Sequence, residues 1–150
     1  RRITRMSVED IGLADPQAQT VCLHAWEVYE RLGSPEGELA LAQAVIYLAL
    51  APKSNAAYVA YKAARNEARR TGSEPPPKHI LNAPTRLMKD HGYGAGYAYD
   101  HEAEDGFSGQ DYFPERMKRP VFYQPVERGF ERDLKKRVDW FVKLREKRNG

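Results

Sequence analysis

An all-α fold, built as a helical bundle, is what this chain predicts, and three observations carry that prediction. Residues 41–64, LAQAVIYLALAPKSNAAYVAYKAA, form the longest block nearly free of charge and are split once, at Pro52-Lys53-Ser54. The stretches 15–33 and 127–148 repeat apolar residues at three- and four-residue spacing, the period of a helix with one buried face. The aromatic-rich segment 93–126 has no sustained period of either kind, so it reads as an arm laid on the helices. At 150 residues the chain is most simply one domain, long enough to bury roughly 68–70% of its unfolded surface.

Residues 1–6 begin in mid-pattern, with basic and apolar residues interleaved, so residues 1–14 read as the tail of a preceding region of a longer protein cut upstream of Ser7. Asp15-Pro16 then makes a helix start, with Asp as cap and Pro in the first turn. The helix it opens places Ala18, Val21, Cys22, Ala25, Val28, Tyr29 and Leu32 on one stripe, and Gly33 ends it. Residues 34–37, SPEG, connect it to the uncharged block.

In the first half of that block, Leu41, Ala42, Val45, Ile46, Leu48, Ala49 and Leu50 leave no polar face, which predicts a helix buried on most sides. Pro52 removes a backbone donor and breaks it. Ser54 is placed to cap a second helix carrying Ala57, Ala60, Tyr61, Ala64 and Ala68 on one face. The two halves are expected to fold back as a tight hairpin, with Tyr47, Pro52, Lys53, Ser54, Asn55, Tyr58 and Tyr61 as its structural or interface residues.

The linker TGSEPPP at 71–77 stops this helix. A short helix follows within 79–92, with Asn82 as cap, Pro84 in its first turn, Leu87 and Met88 inward and Gly92 at its end. The arm strings Tyr93, Tyr97, Tyr99, Phe107, Tyr112, Phe113, Phe122 and Tyr123 among glycines, prolines and acids, and one short strand pair between 97–99 and 121–123 is its expected β feature. The last helix, 127–148, carries Phe130, Leu134, Val138, Phe141 and Leu144 on one stripe.

Composition narrows the function classes. The single cysteine, Cys22, excludes an internal disulfide and a cysteine-rich zinc site, and on its apolar face it reads as a buried structural thiol. No apolar run reaches the ~18 residues of a membrane span, so no membrane partner is expected and the protein reads as cytosolic. The charge of +3 is too small to argue nucleic-acid binding by itself.

Gly92-Tyr93-Gly94-Ala95-Gly96 lacks the Lys-Ser/Thr of a phosphate loop and follows a helix instead of opening one, so it reads as a helix stop and turn. His24, His79, His91 and His101 have no metal spacing, and the acidic run 100–105 lacks the ligand alternation of a calcium loop. No serine or cysteine sits in a nucleophile motif, so no active site is expected. The last helix offers Lys135, Lys136, Arg137, Lys143 and Arg145 as DNA contacts, but interspersed Glu131, Asp133, Asp139 and Glu146 make a plain solvated face the stronger reading. The arm's tyrosines could stack on unpaired bases, yet anchoring an irregular segment is their commoner use.

Five pieces of the chain together resemble one family: EDIGLADP at 9–16, LAQAVIYLALAPKSNAAY at 41–58, NAPTRLMKDHGYG at 82–94, the Tyr97/Tyr99 arm, and FYQPVERGFE at 122–131. The chain resembles the C-terminal region of the RarA/MgsA replication-associated recombination proteins, AAA+ ATPases that include the Werner-helicase-interacting protein. Leu81 departs from the pattern, standing where a basic residue is expected before NAP.

The resemblance implies a helical domain similar to the collar of clamp-loader subunits, with residues 1–14 as the tail of the preceding lid region. It implies a non-catalytic assembly role through homotetramer formation, in a protein that acts in replication-fork maintenance, recombination and repair. ATP and magnesium are expected only in an upstream ATPase domain, because no Walker A, Walker B or arginine finger occurs in this chain. Implied partners are further copies of the chain, that ATPase domain, single-stranded DNA and single-strand-binding protein, in the cytoplasm and at nucleoid-associated forks. The alternative is a module that binds single-stranded DNA or DNA ends through the basic last helix and the tyrosine arm.

Overall fold

The computed structural model describes residues 1–149, and among them it is all-helical, as predicted. Six α-helices are present: α1 Arg2–Met6, α2 Gln17–Leu32, α3 Glu38–Leu50, α4 Ala56–Thr71, α5 Arg86–Asp90 and α6 Glu131–Asn149. A π-helical turn, Ser7–Ile11, and a 3-10 turn, Gly12–Ala14, join α1 to α2. The chain divides into two compact units, one from Arg1–Asn66 with Phe122–Arg137, the other from Glu67–Val121 with residues 138–149. α4 and α6 therefore each contribute their first part to unit 1 and the rest to unit 2.

In unit 1 the principal packed pair is α2 with α3, and the π-helical turn packs on α2. Ile11, Ala18, Cys22, Leu48 and Ala51 form the core, with Ile3 and Tyr47 packed against it. Burying Ile11 and Leu48 almost completely stabilises this unit by about 1.5–3 kcal/mol each. Cys22 is 1% exposed, as a structural thiol should be, and burial pushes its pKa up and away from reactivity. The start of α2 is close to expectation: the Asp15 carboxylate accepts the Gln17 N–H at 3.0 Å, and Gly33 ends the helix at φ +68°.

The expected tight hairpin does not form, because α3 packs on α2 and not on α4. Nor is α3 buried on most sides. Ala44 and Leu48 are buried, while Leu39, Val45, Ile46 and Leu50 are 51–82% exposed. α2 and the short α1 together cover only part of the helix surface, and an apolar composition all round does not supply a further neighbour.

In unit 2 the short helix is capped by Thr85, whose hydroxyl accepts the Met88 N–H at 3.3 Å, instead of by Asn82. Asn82 is separated from the helix by Pro84, and Thr85 is the residue with the extended backbone that a cap requires (φ −112°, ψ 156°). Leu87 and Met88, expected inward, are 67% and 36% exposed.

No strand occurs among the described residues, so the pairing expected for 97–99 and 121–123 is absent. The Gln110 side chain takes the backbone groups a ladder would need there: its Oε1 accepts the Ala98 N–H at 3.0 Å and its Nε2 donates to the Gly96 carbonyl at 2.7 Å. The last helix starts at Glu131 and not at 127, because the Phe130 N–H is committed to the Ala14 carbonyl at 2.8 Å. Phe130, expected on the buried stripe, is 41% exposed.

Candidate functional site

Three of the motif segments that carry the family resemblance meet in unit 1. The connection between α3 and α4 is their meeting point. The Ser54 N–H donates to the Asp10 carbonyl at 2.8 Å, and the Ser54 hydroxyl accepts the Ala56 N–H at 3.2 Å, capping α4 as its sequence position predicts. Lys53 turns back onto α3, donating from Nζ to the Leu48 carbonyl at 2.7 Å and the Ala51 carbonyl at 2.5 Å. A lysine there both satisfies orphan carbonyls and places positive charge at the negative end of the helix. The Lys53 carbonyl in turn accepts from Arg128 Nη1 at 3.0 Å.

Gly129 closes the junction. Its φ of +51° suits glycine, and a Cβ there would lie 2.1 Å from the Ala14 oxygen and 2.6 Å from Pro52 Cγ. Gly12 is constrained in the same way, by the Ser54 carbonyl 2.8 Å from where a Cβ would stand. Glu131 is fully buried, with Oε1 accepting from the Tyr123 hydroxyl at 2.7 Å and Oε2 without a hydrogen-bond partner. Burial, then the bond to Glu131, pushes the Tyr123 phenol well above its ordinary pKa. Tyr47 donates from its hydroxyl to the Asp15 carboxylate at 2.7 Å, a bond that likewise raises its pKa.

The predicted hairpin residues thus divide by use. Pro52, Lys53 and Ser54 are built into this junction and Tyr47 is tied to it through Asp15. Asn55 is exposed, and Tyr58 and Tyr61 stand out from α4 with 49% and 64% of their surface free.

The face of α3 turned away from α2 is the larger feature. Leu39, Ala42, Gln43, Ile46, Ala49 and Leu50 follow one another at spacings of three, four, seven, ten and eleven residues, and every one of them is exposed. That is a single seam along the helix, uncharged throughout, in which alanines alternate with large aliphatic side chains. Beside its C-terminal end a groove of about 440 Å³ is lined by Asp15, Gln43, Ile46, Tyr47, Leu50, Ala51 and Pro52. The sequence signal was present in the uncharged block, but periodicity treats a stripe buried within a unit and one left for a partner alike.

The five DNA contacts expected on α6 differ in how they are engaged. Lys136 is paired with Asp133 at 3.0 Å, and Arg137 and Lys143 are exposed. Lys135 is half-buried and already engaged within the chain. Arg145 lies 5.0 Å above the Phe107 ring, and its Nε is buried without an acceptor. Of the acidic run, Asp100 is held below the usual carboxyl range by Ser108, through its side chain first and then through its N–H, which Asp100 accepts at 2.7 Å, and Asp105 pairs with Arg148 at 2.5 Å. These acids tie loops together as well as facing solvent. The glycine turn is closed in the same manner, its Gly94 N–H donating to the Lys78 carbonyl at 2.8 Å, so it presents no open cradle for a phosphate.

An all-helical fold with a tight motif junction defines the class first: a helical domain. Residues 1–142 match the family described as "MgsA AAA+ ATPase C terminal", and the chain belongs to that family. It is 52% identical over 147 residues to the replication-associated recombination protein A of Coxiella burnetii, covering 97% of this chain and 33% of that protein. Its identity to the protein of the same description in Escherichia coli strain K12 is 43% over 143 residues, covering 95% of this chain and 32% of that one. The Dictyostelium discoideum ATPase WRNIP1 is 41% identical over 125 residues, 83% of this chain and 14% of its own length. The chain thus spans about a third of the bacterial relatives' length, and the matched part is the C-terminal domain, not the catalytic ATPase module.

Proposed function

We propose that this domain assembles copies of a longer AAA+ ATPase into a homotetramer, with the exposed seam of α3 as the contact that holds them together. The observation that carries the reading is that seam: six exposed positions without a charge, on a helix whose other face is already satisfied by α2. Covering Leu39, Ile46 and Leu50 would each contribute on the order of 1.5–3 kcal/mol, a large incentive for association. Tyr58 and Tyr61 of α4 extend the supply of uncovered apolar surface. The intact protein would act in replication-fork maintenance, recombination and repair, in the cytoplasm, with ATP and magnesium bound by its ATPase domain. Single-stranded DNA and single-strand-binding protein would be its associates. Among the described residues no helix is long and apolar enough to cross a membrane.

The test is the absolute molar mass of the domain by light scattering on a sizing column across a wide concentration range. The expected result is a mass about four times 17.1 kDa, reduced to the monomer by Ile46→Glu while the circular dichroism stays helical. A wild-type chain that remains monomeric at every concentration, or an Ile46→Glu variant that assembles like the wild type, overturns the reading.

A further inference from the structure

Unit 2 contains a pocket that the assembly reading does not use. It has a volume of about 360 Å³, within the range of sites that take small organic ligands. Its walls come from three segments, each restrained locally. Pro75 and Pro76 form the first, and their rings fix the backbone there. The second carries Lys78, Leu81 and Tyr93. There the Lys78 carbonyl accepts both the Leu81 N–H at 3.1 Å and the Gly94 N–H at 2.8 Å, which ties the 3-10 turn Lys78–Ile80 to the glycine turn. The third carries Glu115 and Arg116 at the centre of a turn closed by the Met117 N–H on the Pro114 carbonyl at 2.8 Å. Walls fixed in this way need little ordering when a ligand enters.

The lining has two parts. Leu81 and Tyr93, both half-buried, supply apolar surface beside the proline rings. Leu81 is the position at which this chain departs from the family pattern, so the pocket is apolar where a basic residue is expected. The rest of the lining is charged, with two carboxylates, Glu74 and Glu115, and two cations, Lys78 and Arg116. Other acids and bases of this unit pair with each other: Arg70 with Glu67, Arg119 with Asp111, and Arg148 with Asp105. Among the described residues the side chains of Glu74, Lys78, Glu115 and Arg116 make neither an ion pair nor a hydrogen bond. Opposite charges that share a pocket without neutralising one another favour a ligand that carries both signs.

We propose that this pocket binds a free α-amino acid with a large apolar side chain. Its ammonium group meets the carboxylates of Glu74 and Glu115, its carboxylate meets Arg116 and Lys78, and its side chain lies on Leu81, Tyr93 and the proline rings. Guanidinium can donate two parallel bonds to a carboxylate, which fixes the orientation of the ligand. A molecule with one charge leaves either the acids or the bases of the pocket without a partner. The site lies wholly in unit 2 and does not involve the α3 seam.

The experiment titrates the chain with L-phenylalanine up to millimolar concentration, read by amide NMR. Three further probes each remove one feature: phenylalanine amide lacks the carboxylate, N-acetylphenylalanine lacks the ammonium group, and glycine lacks the side chain. The expected result is saturable shifts at residues 74–81, 93 and 115–116, with each of the three probes binding about fivefold or more weakly than phenylalanine. Glu74→Gln and Arg116→Gln each weaken phenylalanine binding by a similar factor. Leu81→Arg, which supplies the basic side chain that the family pattern expects, abolishes it, and Lys136→Met leaves it unchanged. A dispersed spectrum of each unliganded variant shows that it is folded. Absence of saturable shifts, single-feature probes that bind as well as phenylalanine, or folded Glu74→Gln, Arg116→Gln and Leu81→Arg variants with wild-type affinity overturns the proposal.

Discussion

Tyr123 and Glu131 show what a single hydrogen-bonded pair can do in this chain. Glu131 has no exposed surface, and among the described residues the Tyr123 hydroxyl is the one hydrogen-bond partner of its carboxylate. Tyr123→Phe leaves that carboxylate buried and unsatisfied, and should destabilise unit 1 by about 1–3 kcal/mol, measured by urea unfolding followed by circular dichroism. The same pair sets an alkaline limit. The folded phenol titrates above its unfolded value, so the stability it contributes is fully present below the unfolded pKa of about 10 and is lost as pH rises above it. The wild type should lose stability with this slope at high pH, and Tyr123→Phe should flatten it. Gly129 supplies a steric test. Gly129→Ala places a Cβ 2.1 Å from the Ala14 oxygen at a φ of +51°, and a loss of about 3 kcal/mol is expected in the same assay. Unfolding midpoints unchanged from the wild type would remove both claims.

Among the elements, α3 depends on a residue outside itself. Its last carbonyls are received by Lys53, three residues beyond its end, and the lysine's charge also complements the helix dipole. Lys53→Met keeps the aliphatic stem and removes the donors. It should cost about 1–2 kcal/mol, with faster amide hydrogen exchange confined to the last turn of α3. Exchange that speeds uniformly across unit 1 would show that Lys53 acts on the whole junction instead. α4 and α6 begin in the same way, from caps and bonds outside the helix: Ser54 caps α4, and the Ala14 carbonyl binds the residue preceding α6.

At the scale of the whole molecule, an assembly that forms only from folded copies must raise the apparent stability by mass action. The melting temperature of the wild-type domain should rise with protein concentration, and that of Ile46→Glu should not, as read by differential scanning calorimetry over a hundredfold range. A melting temperature independent of concentration in both would argue against assembly through α3. The same exposed seam, left uncovered, is an aggregation liability.

The helical class, the start and end of α2, the Ser54 cap and the buried Cys22 were all legible in the sequence. Each depends on short-range rules: the period of a helix, the backbone freedom of glycine, or a side-chain oxygen within reach of nearby N–H groups. The resemblance in EDIGLADP, APKSN and FYQPVERGFE was equally legible, but not that these segments touch one another. Tertiary structure alone decided that α3 packs on α2, that Gln110 replaces a strand pair, and that Arg145 turns onto Phe107 instead of to solvent. These outcomes follow from which neighbour reaches a backbone group or an apolar face first, and residues distant in sequence settle that competition.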